Sequence, residues 1–271
     1  HDSKNDSKLF KTHVRYSLFI VFLFLPAVAS VQFRALHCDV LKDGTSYLIA
    51  NSAIDCNSEK YYRFVAINGC LIAIYQAIPL FYLSILYQHR KKLNPHHAVK
   101  SVQHTIKAYR KRDNDKSLDM IRFLFDDYKL NRWYFEVIDI YRRIAFTGVL
   151  PLLFRDNSLV AYSGWILAFI SVVFFREELP YRVGFINFVV VCCQYVIMLV
   201  FLAALILETN SLDSLNMSDF TLGLILLLSN LFVLLSAIVG GWFRHLEEAN
   251  GVIAFVRYVK IEWAPDFSKT K

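Results

Sequence analysis

Six runs of apolar residues bounded by charged connectors restrict what this chain can fold into more than any other feature. They lie at 17–33, 64–87, 134–154, 159–175, 183–207 and 220–243. A helix that crosses a hydrocarbon core of about 30 Å needs about 20 apolar residues, and no backbone polar group goes unpaired in lipid. A water-soluble globule has no place for so much apolar surface: 56% of the 271 residues are hydrophobic with glycine left out, and the mean hydropathy is +0.38. Soluble domains reach about 45–50% with glycine counted in. The expected fold is an all-α polytopic membrane bundle of six transmembrane helices with both termini cytosolic. Pro26 and Pro79 fall inside the first two runs, where kinks are tolerated if neighbours satisfy the freed carbonyls. A competing reading makes the first run a cleaved secretory signal, since Lys8, Lys11 and Arg15 precede an apolar stretch ending Ala27-Val28-Ala29-Ser30. Cleavage would leave five spans. The chain also begins at His1 without Met, which fits a piece of a longer protein.

Charge orients the spans. Residues 88–133 carry twelve Lys and Arg against five acids, whereas the connectors after the first, third and fifth runs are poor in basic residues. The positive-inside rule then puts this connector and both termini in the cytosol. Cys38 and Cys56 in the first outer connector are placed to form a disulfide, and Asn216-Met217-Ser218 in the third is a glycosylation sequon on the same side. The expected organisation is a cytosolic segment at 1–16, two spans with the Cys-containing loop at 17–87, a basic connector at 88–133, four spans at 134–243 and a cytosolic tail at 244–271. Asp43-Gly44 reads as a turn before 46–49, a short strand or a collar lying on the membrane. Residues 117–128 read as an amphipathic helix at the membrane interface, with the basic stretch 100–116 near anionic lipid headgroups or simply solvated. The formal charge of +7 comes without any nucleic-acid-binding motif, so no nucleic acid is expected as a partner.

Ionisable residues within apolar runs are the candidate functional groups. In 131–148, NRWYFEVIDIYRRIAFTG, a full span has to take in Glu136, Asp139, Arg142 and Arg143. Asp139 reaches Arg142 and Arg143 at helical i+3 and i+4, and Glu136 shares a face with Arg143. Charges at that depth are expensive unless paired and commonly mark function, but residues one or two turns inside a span also snorkel to headgroups. Asn68, Gln76, Asn187, Gln194, Glu208 and Asn230 are further polar groups within the runs, either lining a path or joining helices. Cys70, Cys192 and Cys193 read as small packing residues. No catalytic signature occurs, and His89, His96, His97 and His104 lack carboxylate or cysteine neighbours, so neither an enzyme nor a metal or cofactor site is expected.

Several strings, taken together, resemble a family. They are PAVASVQFRALHCDVLKDGTSYLIANSAIDCNSEKYYRF, IYQAIPLFYLSILY, LFDDYKLNRWYFEVIDIYRRIAFTGVL and LPYR. The resemblance is to the C-terminal, TRP-like membrane regions of large surface proteins of algae, oomycetes and other protists, and it extends over 26–207. Its most specific parts are Cys38 and Cys56 around DGTSYL and the YKxxxWYxExxxxxRR pattern that ends at Arg143. Gln76-Ala77-Ile78-Pro79 departs from the Pro-Gly-containing segment of that family. The resemblance implies a multi-span module attached to a large extracellular part, with channel-like activity by analogy. Two functions are expected, an oligomeric channel-like or sensory module or else a non-conducting anchor or scaffold for a larger assembly; a third, less favoured reading is a membrane enzyme or lipid-handling protein, which needs a wet cavity at Glu136, Asp139 and Arg142. The connector between the fifth and sixth runs is short for a re-entrant helix and filter, which weighs against a conventional pore.

Overall fold

A long apolar run must pair its backbone within itself, and the helix is the local way to do so. The computed structural model describes residues 2–41, 44–95, 102–154, 156–212 and 217–249. In chain order these form α1 (Asp2–Arg34), β1 (Cys38–Val40), β2 (Ser46–Leu48), β3 (Asn51–Asp55), α2 (Glu59–Gln88), α3 (Arg90–Leu93) and α4 (Val102–Asp113). There follow 3₁₀ helices at Lys116–Leu124 and Leu130–Arg132, then α5 (Phe135–Ile144), a π-helical turn at Ala145–Val149, α6 (Leu150–Leu153), α7 (Asn157–Glu178), α8 (Gly184–Glu208) and α9 (Asp219–Ala249).

Five stretches are long and apolar enough to cross a membrane: Thr12–Arg34, Glu59–Gln88, Asn157–Glu178, Gly184–Glu208 and Asp219–Trp242. The expected run at 134–154 differs from these. It is helical almost throughout, yet it comes in three pieces, and its charged first half sets it apart.

The chain divides into two compact units. The first comprises His1–Leu93, Asp115–Asp126 and Trp133–Asp156. In it α2 starts at Ser58, whose hydroxyl accepts the Tyr61 N–H at 3.2 Å, with Glu59 in the first turn where the helix dipole favours an acid. Ahead of α2 stands an antiparallel sheet in the order β1-β2-β3, with Cys38 opposite Leu48 and a register shift at Tyr47/Leu48. The short strand expected at 46–49 is β2. Gly44 turns the chain into it with a φ of 86°, a conformation that glycine adopts without strain. Cys38 and Cys56 form the expected disulfide, closing the sheet from its first strand to just past its last. The Tyr47 hydroxyl donates to Asp39 Oδ2 at 3.2 Å, and that bond, then the charge of Asp39, raises the phenol pKa.

The core of this unit is two clusters. Leu118, Ile121 and Leu124 of the 3₁₀ helix pack with Tyr82, Leu86, Leu93 and Val137, and Leu18, Phe22 and Phe123 lie against them. Spacing by three places these side chains on one face of a helix with three residues per turn. The segment expected to lie as an amphipathic helix on lipid therefore differs in two respects: it is a 3₁₀ helix, and its apolar face is covered by α1 and α2. The second cluster joins Leu25 and Ala29 of α1 to Ile140 and Ile144 of α5, with Ile78 alongside.

The second unit comprises Asn94–Asn114, Asp127–Arg132 and Asn157–Lys271. Its centre is the α7–α8 pair. Ala161, Gly164, Ala168, Ser171 and Phe175 recur at three- and four-residue steps on the buried face of α7, and an added Cβ at Gly164 would meet the Phe201 ring at 2.2 Å. Small residues let the two backbones approach closely. α9 joins α8 along a stripe of its less exposed residues, Leu222, Leu226, Ser229, Val233, Ser236 and Gly240, with Gly240 against the Phe185 ring. The tail at 250–271 and the connector around Asn216 lie outside the described residues.

Two expected outcomes test this fold. The denatured chain should take three thiol-reactive maleimides without reductant, at Cys70, Cys192 and Cys193, and five with it; five in both states would disprove the bridge. Asp115 caps the first 3₁₀ helix by accepting Ser117 N–H at 2.9 Å and Ser117 Oγ–H at 2.7 Å, and these bonds hold its pKa below the usual value. A depressed pKa stabilises the fold above the unfolded value of about 3.9, and the contribution is lost as pH falls through the folded value. The stability difference between the native chain and Asp115→Ala, followed by thermal denaturation, should therefore shrink below about pH 4.

Candidate functional site

Glu136, Asp139 and Arg143 fall on one face of α5 by helical spacing, with Arg142 beside them. Asp139 is 2% exposed and Glu136 7%. One Asp139 oxygen accepts Arg142 Nε at 2.8 Å and lies 2.7 Å from its terminal nitrogen; the other is bound by Arg143. Arg143 also stands 3.8 Å from Glu136, and the Arg142 guanidinium lies 5.7 Å from the centre of the Phe146 ring. Two carboxylates and two guanidiniums thus form a neutral cluster from a single helix. A carboxylate removed from water is tolerated when opposite charge and hydrogen bonds replace its hydration, and here the i+3 and i+4 positions supply both.

The helix that carries the cluster is held to its neighbours by its other face. Val137, Ile140 and Ile144 belong to the two core clusters, and the Tyr141 hydroxyl donates to the Gln76 carbonyl of α2 at 2.7 Å. Past Ile144 the chain widens into the π-helical turn, where Leu150 N–H reaches back five residues to the Ala145 carbonyl. Pro151 has no N–H to give to the Thr147 carbonyl four residues earlier. Ser30 of α1 donates its hydroxyl there at 3.2 Å. Gly148 is the point of closest approach, since a Cβ at that position would meet Phe33 Cδ2 at 2.4 Å. Successive positions of α5 and the π-helical turn accordingly meet successive positions of α1: Ile140 and Ile144 cluster with Leu25 and Ala29, Thr147 meets Ser30, and Gly148 meets Phe33.

The other polar residues singled out from the sequence stand apart from this cluster. Asn68 of α2 donates to the Gln32 carbonyl of α1 at 3.0 Å. Gln76 contributes its backbone carbonyl to Tyr141, while its side-chain Nε2 is buried without a hydrogen-bond acceptor among the described residues. Asn187, buried at the start of α8, holds the backbone of Tyr181 from both sides, accepting its N–H at 3.0 Å and donating to its carbonyl at 2.9 Å. Gln194 is buried within α8, Glu208 is exposed at that helix's end, and Asn230 is exposed midway along α9. Among the described residues no group of three or more His, Cys, Asp or Glu is placed to hold a metal; His96 and His97 lie outside them, as does the glycosylation residue Asn216.

A second polar assembly, in the other unit, was not singled out from the sequence. The turn between α7 and α8 is clamped where Tyr128 pairs with Tyr181: Lys129 N–H donates to the Pro180 carbonyl at 2.9 Å, Arg182 N–H to the Asp127 carbonyl at 2.9 Å, and the two tyrosine rings stack at 5.0 Å. Beneath it Arg112 is fully buried, donating to the Tyr128 carbonyl at 3.1 Å and to Asp113 at 3.3 Å. Arg182 bonds Asp113 at 3.1 Å and lies over the Tyr109 ring at 4.4 Å. Burial first, and then the charge of Arg182, lower the Arg112 pKa, while Asp113 and Tyr109 act the other way. Arg112 therefore does not face headgroups as one of the basic residues of 100–116; Lys107, Arg110 and Lys111 of α4 remain exposed. Its one signal in the sequence is helical: Ala108 and Arg112 lie four residues apart and share a face.

No protein-family model, curated protein or solved structure matches this chain.

Replacing Asp139 with Asn should leave Arg142 and Arg143 without their shared counter-charge. A broken buried pair costs about 3–5 kcal/mol. The variant should lose most of its folded fraction in a thermal scan, with Arg143→Gln milder because Asp139 keeps Arg142. A native-like melting temperature for Asp139→Asn would show that the cluster does not hold α5.

Proposed function

We propose that this chain is a polytopic membrane anchor: six helices cross the bilayer, the termini and the basic connector face the cytosol, and the disulfide-closed sheet faces outward. The five long apolar helices support insertion. The sixth crossing is α5, the π-helical turn and α6, which together run 135–153, about 28 Å at 1.5 Å per residue. Its support is the way those elements keep pace with α1, so that if α1 crosses, they traverse the same depth in the same direction. Six crossings return the chain to its starting side, and the basic residues of 88–133 assign that side to the cytosol.

One observation carries the anchoring role over the channel-like role that the resemblance implies. The ionisable groups of α5 are engaged with one another, with Asp139 bound by both arginines. A permeation site needs groups that can exchange partners with a passing ion. In support, Asn68 and Asn187 are engaged with backbone carbonyls, and the connector between α8 and α9 spans 209–218, little room for a re-entrant helix and filter. On this reading the exposed lysines and arginines of α4 rest near anionic headgroups, and the outer sheet joins the module to an extracellular or supramolecular assembly.

Reconstituted into liposomes, the chain should pass no more Na⁺, K⁺ or Ca²⁺ than empty vesicles. Flux that is present in the native chain and abolished by Asp139→Asn, at equal protein incorporation, would replace the anchor with a channel.

A further inference from the structure

We propose that a second copy of this chain docks on α9, with Asn230 at the centre of the interface. This rests on the membrane reading above. α9 is the least covered of the membrane-length helices, with 6% of its apolar window buried. One stripe faces α8. About 100° around the helix runs a second stripe at alternating steps of four and three: Gly223, Leu227, Asn230, Leu234, Ala237 and Gly241, every one exposed. That spacing is the seam of a left-handed helix pair.

The amide in the middle of the seam identifies the occupant. Asn230 stands halfway along Asp219–Trp242, which on the membrane reading is the point farthest from water on either side. Its Nδ2 donates to the Leu226 carbonyl of its own helix at 2.8 Å, while Oδ1 has no donor among the described residues. Lipid tails offer neither donor nor acceptor, so an exposed amide at that depth favours association with a helix that provides both. A second copy inserted in the same orientation presents the same amide at the same depth, and an asparagine amide, donor and acceptor at once, is its own complement. The flanking residues allow the approach. A Cβ at Gly223 or at Gly241 would meet nothing within 4 Å among the described residues, and Leu227 and Leu234 are 63% and 57% exposed. Two-fold symmetry about this seam closes a dimer and leaves the α8 face of each α9 undisturbed.

The test uses the full chain in liposomes, labelled with a donor and an acceptor fluorophore and diluted with lipid. The native chain should show energy transfer that falls with dilution as a dimer equilibrium, and Asn230→Leu should weaken association about 3- to 20-fold, the range of interhelical polar contacts. Asn230→Gln, which keeps donor and acceptor, should retain most of it. With Cys70, Cys192 and Cys193 replaced by Ala, oxidation should link Leu227→Cys and Leu234→Cys chains into dimers, but not Leu228→Cys, which is 54% exposed on another face. A monomeric native chain, an Asn230→Leu variant that associates as tightly, or equal cross-linking at Leu228→Cys would overturn the proposal. Linkage to an unrelated membrane protein in place of a second copy would also overturn it. Alkaline carbonate extraction separates the two levels: chain released from the vesicles sinks the membrane reading itself, whereas chain retained but monomeric sinks only the dimer.

Discussion

Asp139 must find positive charge, and α5 supplies it from within. Because Arg142 and Arg143 stand one helical turn further on, the pairs form whenever the helix forms and ask nothing of tertiary structure. Their closure frees the opposite face, Val137, Ile140 and Ile144, to pack as apolar surface on α1 and α2. Had the carboxylate been met from another helix, the depth and rotation of α5 would have been set by one ion pair. Here they are set by side-chain packing, with the charge already neutralised.

Beyond the cluster, α1, α2 and the α5–α6 series are held in register by side chains that donate to backbone carbonyls of a neighbouring helix. Ser30 reaches the Thr147 carbonyl that Pro151 cannot serve, and Tyr141 reaches the Gln76 carbonyl, next to the Tyr75 carbonyl that loses its partner to Pro79. Asn68 and Tyr82 bind the carbonyls of Gln32 and Leu18. On the membrane reading such bonds contribute about 0.6 kcal/mol each on average, so stability does not rest on any single one. Their consequence is positional: each works at one axial offset, and together they exclude a one-turn slide of α5 along α1. Gly148 against Phe33 marks the tightest contact, and the π-helical turn adjusts the rotation of the chain just before it.

Where a feature is local, the sequence displays it. The long helices follow from uninterrupted apolar runs, the Asp139 pairs from spacing alone, and the strand at Ser46–Leu48 from its place after a glycine turn. Features that depend on a distant partner are not displayed. Leu118, Ile121 and Leu124 announce an apolar face without saying whether lipid or protein covers it, and the answer lies with Tyr82 and Leu86 more than thirty residues earlier. Arg112 sits among exposed basic residues of the same helix, and only Ala108, one turn earlier on its face, distinguishes it. Its burial is decided by the Tyr128 carbonyl and by Tyr109 and Arg182 around Asp113. The split of 134–154 into α5, a π-helical turn and α6 coincides with Pro151, a local feature, and with the approach of Phe33 of α1 to Gly148, a distant one.

These placements bear on function through what remains unsatisfied. An ion path requires polar groups that are held in place yet free to exchange their partner. The charged groups of α5 are held but engaged, and their pairs, made within one turn of one helix, re-form at once when disturbed. On the membrane reading, a lipid-facing polar group left without a full complement among the described residues is the Asn230 amide, on the helix with the least protein around it, whereas the unserved Gln76 Nε2 is buried within the protein. A buried charge without a partner would invite an ion or a proton, whereas a neutral amide facing lipid invites another amide. The demand that this amide leaves open is lateral, from chain to chain, and on the membrane reading it suits a protein that holds an assembly in place better than one that conducts.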